Sequence, residues 1–111
     1  MSAGEFPSFG FGEMIYQLTV PAVADVEEIR VLEWHGEIGH RFHVGDLIVE
    51  LETHKAIVEV RAGQPGIMRV VMLQAGDWQQ IGEPLAIFSD HEEEEVSAEA
   101  ASALAVEFQV S

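Results

Sequence analysis

From Leu47 to Val60 the chain reads LIVELETHKAIVEV, two alternating runs separated by the short polar stretch Thr53-His54-Lys55. In the first run Leu47, Val49 and Leu51 alternate with Ile48, Glu50 and Glu52. In the second, Ile57 and Glu59 alternate with Val58 and Val60. Side chains on a strand point to opposite faces in turn, so this pattern predicts a β-hairpin with Lys55 at or beside its tip. Upstream, residues 14–20 (MIYQLTV) and 29–35 (IRVLEWH) alternate in the same way and predict two further strands. The faces of these runs nominate Val31, Leu32, Val49, Leu51, Val58, Val70, Leu85 and Ile87 as the main core.

The pattern also repeats. Gly39-His-Arg-Phe-His-Val-Gly45-Asp-Leu-Ile-Val returns thirty-seven residues later as Gly76-Asp-Trp-Gln-Gln-Ile-Gly82-Glu-Pro-Leu-Ala. Two glycines six apart, an apolar residue before the second and an acid after it recur at equal offsets. Each half reads as strand, glycine turn, short strand, glycine turn, strand, with glycine supplying the positive φ that such turns need. Short strands of this kind cannot bury a face alone. Two similar halves are therefore expected to pack as an all-β, flattened sandwich or barrel of two small antiparallel sheets with pseudo-twofold symmetry.

Composition narrows the function. The chain has 111 residues, twenty acidic against five basic side chains, a formal net charge of −15 and no cysteine. One domain with one modest core fits this length. The charge argues against nucleic acid as a partner, because phosphates would be repelled. Without cysteine there are no disulfides or thiolate metal sites, no run approaches a membrane span, and the first residues lack the basic region of a signal peptide. A cytoplasmic setting, or the interior of an organelle, is expected. Residues 1–13 (MSAGEFPSFGFGE) lack periodicity and read as a flexible leader, although Phe6, Phe9 and Phe11 could dock on the barrel. Residues 14–90 form the domain. In 91–111 an acidic, alanine-rich composition predicts a linker or tail, while Leu104, Val106, Phe108 and Val110 alternate at its end and leave 104–111 open between disorder and an added strand.

Lys55 is the only lysine; the other basic residues are Arg30, Arg41, Arg61 and Arg69. The segment Glu52-Thr53-His54-Lys55-Ala56, followed by IVEV, resembles the attachment motif of lipoyl domains, which usually reads Glu-Thr-Asp-Lys-Ala before an apolar strand. The resemblance covers residues 14–90 and departs from the usual pattern at His54. It implies the biotinyl/lipoyl-carrier hammerhead fold, lipoate bound covalently to Lys55, and an attachment turn recognised through Glu52, Thr53, His54 and Ala56. It further implies a carrier that is not itself an enzyme, with a lipoate ligase or lipoyl transferase, a thiamine-dependent 2-oxoacid dehydrogenase, a dihydrolipoyl dehydrogenase and an acyltransferase core as partners. A histidine in place of the usual aspartate can carry a proton near neutrality, so partner recognition is expected to vary between roughly pH 6 and 7.

Three other readings compete. Biotin carriers share the fold, but their pattern places methionines on both sides of the lysine, where His54 and Ala56 stand here. The glycine-cleavage carrier is a longer chain with extra helices. An unmodified adaptor module of a transport protein would be accompanied by coiled-coil heptads, which are absent from the sequence. No metal site is expected: strand spacing puts His40 and His43 on opposite faces even with His35 nearby, and Glu92 to Glu95 lacks the spaced ligands of a calcium loop. Trp34 and Trp78 read as packing residues, Trp78 in part exposed. No catalytic set of side chains can be read from the chain.

Overall fold

A computed structural model describes residues 15–92, 96 and 101–111. The leader proposed for residues 1–13, and most of the acidic run after residue 92, lie outside the described residues. Ten strands are described: β1 (Ile15–Thr19), β2 (Glu28–Trp34), β3 (Arg41–Phe42), β4 (Leu47–Glu52), β5 (Ile57–Ala62), β6 (Gly66–Val71), β7 (Trp78–Gln80), β8 (Pro84–Ser89), β9 (Ser102–Ala103) and β10 (Val106–Val110). They form two five-stranded sheets, in the orders β9-β1-β8-β6-β3 and β10-β5-β4-β2-β7. All pairings are antiparallel except β9 with β1, which is parallel. There is no helix among the described residues, and the architecture is the all-β sandwich expected from the alternation and the repeat.

The pseudo-twofold relation is visible in the strand orders: β5-β4-β2-β7 in one sheet answers β1-β8-β6-β3 in the other. Its turns match closely. Gly39 and Gly76 have φ of 98° and 97°, and Gly45 and Gly82 have 93° and 87°. A Cβ at any of these four would meet no atom within 4 Å, so what demands glycine there is backbone conformation and not space. The bonds match as well: the Gly39 N–H donates to Met68 O at 2.8 Å, and the Gly76 N–H to Val31 O at 2.7 Å. Even the irregularities obey the repeat. Leu32 and Arg69 are each an extra residue against the neighbouring strand, as are Ile48 and Leu85.

These bulges decide which residues reach the interior. Of the eight expected core residues, Val31, Val49, Leu51, Val58, Leu85 and Ile87 are buried, whereas Leu32 and Val70 are only half-buried. Leu32 is itself the extra residue of its strand. Arg69, extra in β6, breaks the alternation, so that Val71 rather than Val70 packs on the main cluster. A bulge shifts the side-chain alternation by one position, which strict period-two reading cannot anticipate. The cluster also takes in Leu18, Ile29, Phe42, Ile48, Val60, Met68 and Phe88.

Residues 102–111 extend both sheets. β9 lies beside β1, Leu104 is 7% exposed within the core, and β10 runs along β5 from Ala62 to Val58. The question left open for 104–111 therefore resolves to an added strand, one that reaches the hairpin between β4 and β5.

Candidate functional site

The site is the tip between β4 and β5, at residues 53–56. Hairpins with two-residue loops usually need positive φ at the loop residues. Among the described residues other than glycine, only Asp25 has positive φ, so His54 and Lys55 turn the chain without it. Thr53 makes this possible. Its N–H donates to Ala56 O at 2.8 Å, and its hydroxyl donates to the same oxygen at 3.2 Å. The hydroxyl oxygen in turn accepts from the Lys55 N–H at 3.0 Å and the Ala56 N–H at 2.9 Å. A side chain takes the acceptor role that the main chain would otherwise fill. Thr53 is only 5% exposed, while His54 and Lys55 point into solvent.

The rest of the turn is braced from both sides. Ile57 exchanges two main-chain bonds with Ser111, at 3.0 and 2.9 Å, so β10 flanks the tip. On the other side Arg30 holds Glu52 through a salt bridge, with Nε donating at 3.1 Å, and its guanidinium lies 5.8 Å from the centroid of the Trp78 ring. The register places Glu52, Arg30 and Trp78 side by side across β4, β2 and β7. Glu52, the acid nearest the amine in sequence before the turn, is thus committed to Arg30. Among the described residues Lys55 has no salt-bridge partner. The braced turn presents an exposed primary amine.

Beside the tip lies an open cleft lined by Asp25, Glu27, Glu28, His54 and Trp78. Three separate segments of the chain meet there, so no single stretch of sequence reveals it. Trp78 is 51% exposed, and Trp34 is the packing residue of the pair, its Nε1–H donating to Leu73 O at 2.9 Å. One potential ligand cluster, Glu33, His35 and Glu50, is found among the described residues, with its ligand atoms all within 4.8 Å. His35 Nε2 lies 2.9 Å from Glu50, and Glu33 faces Glu50 across the strands. The same nitrogen lies 3.9 Å from Glu33, so the ring sits beside a like-charged cross-strand pair. His40 and His43 do not join it.

The geometry suits a covalently loaded carrier, and comparison with known proteins agrees. The family model described as "Biotin-requiring enzyme", which covers biotin- and lipoyl-attachment domains, matches residues 16–88, and the chain belongs to that family. Among curated relatives, the chain is 31% identical over 75 residues to the dihydrolipoyllysine-residue succinyltransferase component of the 2-oxoglutarate dehydrogenase complex of Staphylococcus saprophyticus. That match covers 67% of this chain and 18% of the relative. It is 30% identical over 73 residues to the pyruvate dehydrogenase complex protein X component of Chaetomium thermophilum, covering 64% of this chain and 16% of the relative. With the acetyltransferase component of the Cupriavidus necator pyruvate dehydrogenase complex it shares 31% identity over 61 residues, 55% of this chain and 11% of the relative. The matched region thus spans less than a fifth of each of these proteins.

The turn can be tested directly. Thr53→Val keeps the shape and removes both roles of the hydroxyl, leaving the Lys55 and Ala56 N–H groups without their acceptor. The expected cost is about 1–3 kcal/mol of stability, read from the denaturant midpoint; an unchanged midpoint would show that the hydroxyl does not shape the tip.

Proposed function

We propose that this chain is a lipoyl carrier: Lys55 is the attachment residue, and the protein shuttles acyl groups and reducing equivalents among the active sites of a 2-oxoacid dehydrogenase complex, in a cytoplasmic setting. The observation that carries this reading is the exposed amine at the end of a turn fixed by Thr53, within the sequence Glu52-Thr53-His54-Lys55-Ala56. Absence of methionine at 54 and 56 favours lipoate over biotin. The lipoyl curated relatives support the same choice.

A lipoyl group in amide linkage to Lys55 would supply a dithiolane able to take up an acyl group and two electrons. The protein's own residues do no bond chemistry. Thr53 sets the direction of the lysine, β5 and β10 hold one flank of the turn, and the Glu52–Arg30 pair holds the other. Such a carrier gains from weak docking, since tethering to the complex replaces affinity by effective concentration, on the order of millimolar for short flexible links. The partners under this reading are a lipoate ligase or transferase, a thiamine-dependent 2-oxoacid dehydrogenase, an acyltransferase core and a dihydrolipoyl dehydrogenase.

Recognition by the dehydrogenase is assigned to the face containing His54. This residue lines the cleft with Asp25, Glu27 and Glu28, so His54→Asp would add a fourth carboxylate to the cleft. Complementary charge governs docking more than it governs folding. For the lipoylated chain, His54→Asp should lower kcat/KM in reductive acylation by the cognate dehydrogenase several-fold, with attachment by the ligase changed by less than about twofold. A loaded wild-type chain that no thiamine-dependent 2-oxoacid dehydrogenase acylates faster than free lipoate would overturn the function. Equal rates for wild type and variant would remove His54 from recognition.

A further inference from the structure

The free edge of β10 has features that none of the carrier function uses. Ile57 and Ser111 exchange main-chain hydrogen bonds, and the antiparallel register continues through Gln109 opposite Glu59 and Glu107 opposite Arg61. In an antiparallel ladder bonded and non-bonded pairs alternate. The N–H and C=O groups of Val106, Phe108 and Val110 therefore point away from β5. Among the described residues no strand lies on that side, since β10 ends its sheet. The side chains of these three residues share the inward face with Ala62, Val60 and Val58. The opposing sheet ends there in the two-residue β9, so Phe108 remains 42% and Val110 45% exposed.

An edge strand that is free and apolar is an invitation to pair, which proteins commonly block with charge, proline or a covering segment. Here the outward positions Val106, Phe108 and Val110 are neither charged nor proline, and no strand among the described residues covers them. Its sequence, Val106-Glu107-Phe108-Gln109-Val110, is nearly symmetric about Phe108. Two copies laid antiparallel with Phe108 opposite Phe108 would place Val106 against Val110 of the second copy, and Glu107 against its Gln109. Apolar meets apolar and acid meets amide. A shift by one residue would set valines and phenylalanine against Glu107 and Gln109, and the register pairing Phe108 with Val106 would set Glu107 against itself. The pattern is self-complementary, as a twofold interface requires.

We infer that β10 is a self-association edge through which two copies of this chain join their sheets about a twofold axis at Phe108. About six main-chain hydrogen bonds would link the copies. A stripe of six apolar side chains would lie on the inward face between the two first sheets. β10 runs toward its own hairpin tip, so antiparallel pairing sends the two Lys55 tips to opposite ends and leaves both open to partners. The inference is independent of what Lys55 carries. Net charge opposes it: each copy has a formal charge of −15, so association strengthens as salt screens the repulsion. A contact held by complementary charge would show the reverse dependence.

Sedimentation of the full chain across a wide range of concentration, at low and at high salt, is the test. The expected result is a monomer–dimer equilibrium, roughly tenfold tighter in about 0.5 M than in about 0.05 M salt. Phe108→Glu, which places two like charges on the axis, should weaken it by at least about tenfold. Register is read separately. The chain has no cysteine, so Phe108→Cys should form a disulfide-linked dimer under mild oxidation much faster than Val110→Cys, because position 110 pairs with 106 and not with itself. A chain that is monomeric at every concentration and salt overturns the inference, and so do equal linking rates at 108 and 110, or a dimer indifferent to Phe108→Glu.

Discussion

Lys55→Arg should abolish covalent loading entirely. No other lysine exists to take the group, and a guanidinium does not form the amide that an amine forms, although length and charge are kept. The substitution is structurally mild. Lys55 is exposed, and the bonds that define the turn run through its main-chain N–H to Thr53, which arginine retains. The fold should therefore persist, with a denaturation midpoint close to that of the wild type. That combination separates the attachment role from a structural one: complete loss of loading with stability changed by less than about 0.5 kcal/mol, as for an ordinary surface substitution. Loading of the arginine variant at any residue would break the assignment.

The largest effect on stability is expected at Leu51. This side chain is 0% exposed in β4, the middle strand of its sheet, and faces Val31 on one side and Val58 on the other. Leu51→Ala should cost about 2–5 kcal/mol through lost burial and the cavity left behind. For a domain of this size that is on the order of 10 °C or more in Tm. Leu32→Ala provides the contrast, since Leu32 is half-buried at a bulge and has less to lose. The two variants should differ by at least about 1 kcal/mol in denaturant unfolding. Equal costs would mean that the bulge does not turn Leu32 out of the core.

Much of this architecture was legible in the sequence, for specific reasons. Alternation on both sides of residues 53–55 gave the hairpin, because a strand's side-chain period is fixed by its backbone. The paired glycines gave the pseudo-twofold, because left-handed φ is cheap only for glycine, and the φ values at 39 and 76 agree to a degree. Bulges at Leu32 and Arg69 were not legible. An extra residue in one strand is defined by its partner across the ladder, and single-strand periodicity contains no partner. The cleft around His54 was hidden for the same reason: Asp25, His54 and Trp78 become neighbours only through strand order. Thr53 left a fainter trace. A threonine just before a two-residue turn is a local signal that a side chain can cap the turn, whereas its burial and both accepted bonds emerge only with the fold. For the last residues the alternation from Leu104 to Val110 was visible, but composition upstream pulled the other way, and pairing with β5 decided it.

Whether this hairpin presents Lys55 for lipoyl attachment is decided by intact-mass measurement on the wild-type chain incubated with lipoate, ATP and a lipoate ligase, beside a parallel incubation with biotin and a biotin ligase. One lipoyl group per chain is expected, located at Lys55 by fragmentation, with an unchanged mass in the biotin reaction. A chain that takes biotin and refuses lipoate, or takes neither, would contradict it.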